Sequence, residues 1–279
     1  MSAVLALLSA VVWGASDFVA GVLSRSLRPV VVVAWSQLIA LALLTAIVLV
    51  QGLPLHGYAG WAPCAALAGM AGALGLLSFY AALSTGTMGV VAPIAAVGAA
   101  IPVLLGVLTG EQPSPVAWAG IAVALLGVIL ASGPELQQGL GARPVLLAAV
   151  AAIGFGVALF ALDRGARISL VHTLWGMRLT SGVGFLALAV VARSLGGVTV
   201  RQVPILVAVG TSDLLANALF GMASSSGLVS IAAVLGSLYP VVTIVLARYV
   251  LHERLRPVQV LGSALAMAGV VLIAAAGRG

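Results

Sequence analysis

Very few side chains in this sequence are equipped to do chemistry. Asp17, His172, Arg178, Asp213 and Arg248 are ionisable residues that fall inside long apolar stretches, in a chain where charged residues amount to only 6%. An ionisable group in such a stretch is costly to keep in lipid and normally turns toward a bundle interior or a water-filled cavity, so each one marks a candidate site. Asp213 lies in GTSDLLANALF, with Asn217 one helical turn further on the same face. Arg178 is about nine residues, and Asp213 about ten, from the same membrane face, which puts both roughly 13 to 15 Å deep and within reach of each other. Two readings stand for them: an ion pair that neutralises two buried charges, or a substrate or proton site. Asp17 follows Trp13 by four residues, so a carboxylate and an aromatic share one helix face. With no basic residue within a helical turn, Asp17 is the better candidate for binding a substrate amine or carrying a coupling proton, against the alternative of a carboxylate reaching the interface. Tyr80, Trp175 and Tyr239 offer aromatic or hydroxyl contacts, or else packing and an interfacial belt. His172, near a helix end, reads as a packed or interfacial histidine, and Arg248 can snorkel.

Other chemistries find poor material. The chain has no His-Glu-x-x-His, no Gly-x-Ser-x-Gly and no P-loop sequence, and an intramembrane enzyme would need converging groups that two aspartates at different depths do not supply. Cys64 is the single cysteine, which excludes an intramolecular disulfide and a multi-cysteine metal site. No cofactor or metal is expected. All 12 basic residues are arginine, and they are scattered among short loops instead of forming an aromatic-interleaved stripe, so the net charge of +6 does not point to nucleic acid.

The elements that must position these residues follow from composition. Hydrophobic residues make up 63% of the chain and the mean hydropathy is +1.27, the signature of an integral membrane protein. A spanning helix needs about 20 apolar residues, and short Gly-, Pro-, Ser- or charge-rich breaks predict ten such helices. These fall near 3–23, 29–50, 61–83, 88–109, 115–132, 143–162, 169–192, 201–223, 228–250 and 257–276. One of the breaks is DRGARI, residues 163–168. Pro93, Pro102 and Pro240 fall inside the fourth and ninth segments and predict bent helices there.

The two halves of the chain match each other. Glu111-Gln-Pro-Ser-Pro115-Val116 through Gly120 aligns with Glu253-Arg-Leu-Arg-Pro257-Val258 through Gly262 at an offset of 142 positions, which also pairs Gly14 with Gly156, Phe18 with Phe160 and Gly127 with Gly269. Phe79 through Gly86 faces Phe220 through Gly227 at an offset of 141. Each copy would hold five helices, an odd number, so the second must enter the membrane from the opposite side. The expected fold is all-α and integral to the membrane: ten transmembrane helices in two inverted five-helix repeats, residues 1–134 and 143–279, around a central cavity. Such inverted repeats are typical of secondary transporters working by alternating access. Ser114 and Arg256 precede prolines suited to a first helical turn, and Glu111 and Glu253 read as markers of those same helix starts.

GVLTGEQPSPVAWAGIAVALLGVIL, VLARYVLHERLRPVQVLGSALAMAGVVLI and, more loosely, Trp13-Gly14 in the first helix resemble the drug/metabolite transporter superfamily, specifically its EamA-type branch. The resemblance covers nearly the whole chain. It implies a multi-pass permease of the inner (plasma) membrane that exports amino acids or other small metabolites, with the lipid bilayer and a small-molecule substrate as partners. Protons are a candidate coupling ion, and the chain acts as a monomer or homodimer. A lipid or lipid-linked-sugar flippase of the same superfamily is the alternative. Members commonly carry an arginine within the second helix of each repeat; Arg178 matches in the second copy, whereas the first has Gln37 near that position. The resemblance puts both termini in the cytoplasm. The arginine count points the other way, because Arg25, Arg28, Arg143, Arg193, Arg201, Arg254 and Arg256 would lie outside and only Arg164, Arg167 and Arg278 inside.

Overall fold

The computed structural model describes residues 1–53, 58–85, 88–132, 142–192, 196–250 and 257–276. The described residues form helices α1 (Ser2–Leu23), α2 (Pro29–Val50), α3 (Tyr58–Thr85), α4 (Met88–Ala96), α5 (Ala100–Leu108) and α6 (Pro115–Ser132). A 3-10 turn, Val97–Ala99, joins α4 to α5. The second half holds α7 (Ala142–Ala192), α8 (Val203–Ser225), α9 (Val229–Gly236), α10 (Tyr239–Val250) and α11 (Pro257–Ala276). Among these residues 6 helical stretches are long and apolar enough to cross a membrane, and α6 and α11 contain shorter apolar stretches. Large apolar side chains such as Leu43, Leu67, Leu74, Leu104, Ile153, Val183 and Leu215 face outward, which suits a surface bathed in acyl chains. This is a multi-pass membrane protein.

Proline placement explains the interrupted helices. Pro102 and Pro240 each lack the N–H that would bond the carbonyl four residues back. The chain adopts the 3-10 turn 97–99 just before Pro102, and it breaks between α9 and α10 just before Pro240. Both bends expected from the sequence are therefore present. Backbone freed from its helical ladder at membrane depth persists only where protein or a cavity surrounds it. Accordingly, Gly98, Ala99, Gly236 and Ser237 are all buried.

The break expected at 163–168 lies elsewhere. Residues 163–168 are helical, and the interruption of α7 is confined to Ser169, at φ −158° and ψ 108°. Buried Asp163 pairs with Arg167 across one turn, at 3.0 and 3.1 Å from the two carboxylate oxygens, and holds the helix through this charged stretch. Arg167 Nη2 also donates to the carbonyls of Ser224 (2.9 Å) and Gly227 (3.0 Å) at the end of α8. Ser169 has the extended backbone of an N-cap residue, and its carbonyl accepts the Thr173 hydroxyl at 2.7 Å.

Packing brings the halves together. Helix α3 runs along α7, α6 against α11, α1 against α8 and α10, α2 between α7 and α8, and α5 against α9. The closest crossings are made by glycines and recur in matched positions. A Cβ at Gly14 would lie 2.5 Å from the Tyr239 carbonyl oxygen and 2.6 Å from Val242 Cβ, and Gly156 meets the Gly98 carbonyl and Ile101 in the same way. Tyr239 and Val242 stand 141 positions after Gly98 and Ile101, and Gly156 stands 142 after Gly14. Gly69 against the Met177 carbonyl and Gly210 against the Ser36 carbonyl form a second such pair, again at an offset of 141.

Candidate functional site

The sequence of α8 places Asp213 and Asn217 on one face, and the structure turns that face inward: they are 6% and 5% exposed. Arg178, from the part of α7 after Ser169, is 1% exposed and brings Nη2 to 2.8 Å from Asp213 Oδ2. The contact is an ion pair whose angle falls short of a well-directed hydrogen bond. Asp213 Oδ1 accepts the Asn217 amide at 3.1 Å and the Trp13 indole N–H at 3.3 Å, and Asn217 Nδ2 also reaches the Asp213 carbonyl at 2.7 Å. Three helices thus meet on one carboxylate.

Gln37 takes part through Arg178. Its Oε1 accepts Arg178 Nη1 at 2.6 Å and the Ser181 hydroxyl at 3.0 Å, all buried. Gln37 and Arg178 are 141 positions apart, so the position where the resemblance leads one to expect a second arginine instead supplies an acceptor for the first. Two arginines here would face each other in a low-dielectric interior. A neutral carbonyl at one of the two removes that repulsion and satisfies a guanidinium N–H.

Asp17 is 6% exposed and accepts the Tyr80 hydroxyl at 3.2 Å; no salt bridge reaches it among the described residues. The interfacial placement considered for it is therefore replaced by burial inside the bundle. Tyr239, also buried, donates its hydroxyl to the Ala92 carbonyl at 3.2 Å.

A cavity connects these groups. Of the nine residues singled out from the sequence, Trp13, Asp17, Arg178, Asp213, Asn217 and Tyr239 line it. Tyr80 stands behind Asp17, and Gln37 behind Arg178. Trp175 belongs elsewhere: its indole N–H donates to Thr45 Oγ1 at 3.1 Å, fixing α7 to α2, and it does not line the cavity. The sequence reading missed Gly72, Leu76, Phe155, Leu159, Met177 and the backbone bends at Ala95, Ala96, Gly236 and Ser237, all of which line it. Apolar lining carries no chemical label in a chain this hydrophobic. The repeat offset would nonetheless have pointed to Phe155 and Leu159 from Trp13 and Asp17.

Two more polar sites lie outside the cavity. Glu111 accepts the backbone N–H groups of Val229 at 2.6 Å and Ser230 at 3.1 Å, capping the N-terminus of α9, where a carboxylate satisfies orphan donors and the helix dipole. This corrects its reading as a marker of the α6 start, which Ser114 caps instead by accepting the Ala117 N–H at 3.2 Å. Glu253, Arg193, Arg254, Arg256 and Arg278 lie outside the described residues. His172 is the packed histidine considered, stacked on Trp61 at 5.4 Å with Nδ1 2.7 Å from Ser169 Oγ. Among the described residues no group of three or more His, Cys, Asp or Glu side chains is placed to hold a metal ion.

The EamA-like transporter family matches residues 1–133 and again residues 142–275, so its sequence pattern occurs twice in this chain. The chain belongs to the EamA-like transporter family. It is thereby a membrane transporter of the drug/metabolite superfamily with a small-molecule substrate. No curated protein matches the chain in sequence. A crystal structure of a protein at 19% identity is similar over 99% of this chain and 97% of that one, with a TM-score of 0.78, a likeness of fold.

Proposed function

We propose that the protein is a secondary transporter that exports a small metabolite, an amino acid or related compound, by alternating access across the inner (plasma) membrane. In this reading residues 1–134 and 143–279 are inverted repeats of five spans each, both termini are cytoplasmic, protons are the coupling ion, and the chain works as a monomer or homodimer. The observation that carries it is the cavity lined by both halves at the bends of two interrupted helices, with two carboxylates and an arginine in its wall. Broken helices at a repeat interface suit binding near the midplane and rocking of one half against the other.

The reciprocal glycine crossings support two copies related by a two-fold axis, since each half presents to the other the same contacts it receives. The Ser169 break supports counting α7 as two spans. At 1.5 Å per residue an unbroken helix of 51 residues would be about 75 Å long, more than twice a hydrocarbon core of about 30 Å.

The test is transport by the purified chain in liposomes. Counterflow of a candidate metabolite without nucleotide, faster with an imposed proton gradient, is the expected result. Strict ATP dependence, or a metabolite panel that never moves, would sink the reading.

A further inference from the structure

We propose that the cavity selects a monovalent organic amine with an apolar body and no carboxylate; this rests on the cavity being the transport site and narrows its substrate from an amino acid or related compound to the amine alone. The lining divides between the two halves of the repeat. At offsets of 142 or 141, Asp17 corresponds to Leu159, Trp13 to Phe155, Asp213 to Gly72, Asn217 to Leu76 and Ser237 to Ala96, and all ten line the cavity. Each pair thus has a polar or indole-bearing member and an apolar one. The result is a polar wall facing an apolar wall, which fits a ligand with one charged end.

Charge and hydrogen-bond inventory select the kind of end. Two carboxylates and one guanidinium line the cavity, and Asp213 already holds Arg178, whose Nη1 is bound to Gln37. Arg178 Nε and Nη2 are buried with no hydrogen-bond partner, Nη2 being held by the ion pair with Asp213. Apart from the guanidinium, the side-chain donors in this wall are committed: the Trp13 N–H and Asn217 amide to Asp213, the Tyr80 hydroxyl to Asp17, the Ser237 hydroxyl to the Val234 carbonyl, the Tyr239 hydroxyl to the Ala92 carbonyl. What these groups still offer is acceptors, Asp17 first, and a ligand must therefore bring donors. An ammonium brings three donors and the positive charge that Asp17 lacks. A substrate carboxylate would find the one guanidinium of the lining already paired with Asp213, and would be buried beside that aspartate or against the apolar wall, at substantial cost.

Phenethylamine, phenylalanine and 3-phenylpropionate share a ring and a short chain and differ in their charged groups, so the purified full chain can be tested with all three by equilibrium dialysis against labelled phenethylamine. Phenethylamine should bind at least tenfold more tightly than phenylalanine, and 3-phenylpropionate should not compete. Asp17→Asn should weaken amine binding tenfold or more, while Trp175→Phe, outside the cavity, should leave it unchanged. Equal or tighter binding of phenylalanine, no binding of any of the three, or full affinity in folded Asp17→Asn overturns the proposal. The comparison on the unaltered chain decides even if the variant fails to fold. Transport of an amino acid by the same preparation would overturn this inference and leave the transporter reading standing.

Discussion

Arg178 Nη2 and Asp213 Oδ2 stand 2.8 Å apart, with both side chains buried and with Gln37, Trp13 and Asn217 holding the pair from three directions. Removing one partner strands the other charge in a low-dielectric interior. Asp213→Ala is expected to cost about 3 to 5 kcal/mol, read as a large loss of folded protein on detergent gel filtration or of melting temperature. Asp213→Ala combined with Arg178→Met should recover much of that stability. If transport returns with it, the pair is structural; if stability returns without transport, the pair belongs to the working site.

Proton coupling has its own test at Asp17. That carboxylate shares the cavity with Asp213, Arg178 and Tyr239 and is bonded by Tyr80, so Asn is the variant that keeps its size and accepting oxygen while removing the titrating group. Asp17→Asn in liposomes should lose the acceleration of uptake by an imposed pH gradient, measured at substrate concentrations raised to offset its weaker binding. Unchanged gradient dependence would remove Asp17 from coupling.

Helix positions in this chain were legible because Pro, Gly and charge punctuate an otherwise apolar sequence, and the bends before Pro102 and Pro240 followed from a missing N–H. The Asp213–Arg178 contact was legible because two buried charges on adjoining helices at equal depth have little alternative to each other. Residues 163–168 misled, since a charged run with Gly looks like a loop, whereas Arg167 had partners in Asp163 and the end of α8 that sequence spacing does not display. Glu111 misled in the same way: its proximity to Pro115 suggested a local role, but its partners lie 118 and 119 positions away. Trp175 lies 3 residues from Arg178, close to a full turn but on a direction that meets α2 at Thr45.

The Glu111 cap yields a stability prediction. Glu111→Ala leaves the Val229 and Ser230 N–H groups without their acceptor and should cost about 1 to 2 kcal/mol, within the range for lost helix N-caps. Glu111→Gln keeps one accepting oxygen and should lose less. Thermal melting of the purified protein in detergent checks the order wild type, Gln, Ala. Equal melting of all three would show that the cap contributes nothing to stability.

Two glycines on different surfaces give the sharpest contrast. A Cβ at Gly14 would meet the Tyr239 carbonyl oxygen at 2.5 Å and Val242 Cβ at 2.6 Å, whereas one at Gly184 would meet nothing within 4 Å. Alanine improves intrinsic helix propensity by up to about 1 kcal/mol at both sites, so propensity alone predicts two stabilised proteins. At Gly14 the added methyl must push α1 off α10 at the bend beside the cavity, because the closest atom it meets is backbone and cannot rotate away. Gly14→Ala should therefore lower the melting temperature and reduce transport, and Gly184→Ala should leave transport intact with an equal or higher melting temperature. The matched crossing of Gly156 on the Gly98 carbonyl and Ile101 should respond as Gly14 does. A Gly14→Ala protein as stable and active as wild type would mean that the close crossing of α1 and α10 is not required, and with it the argument that these glycines set the geometry around the cavity would fall.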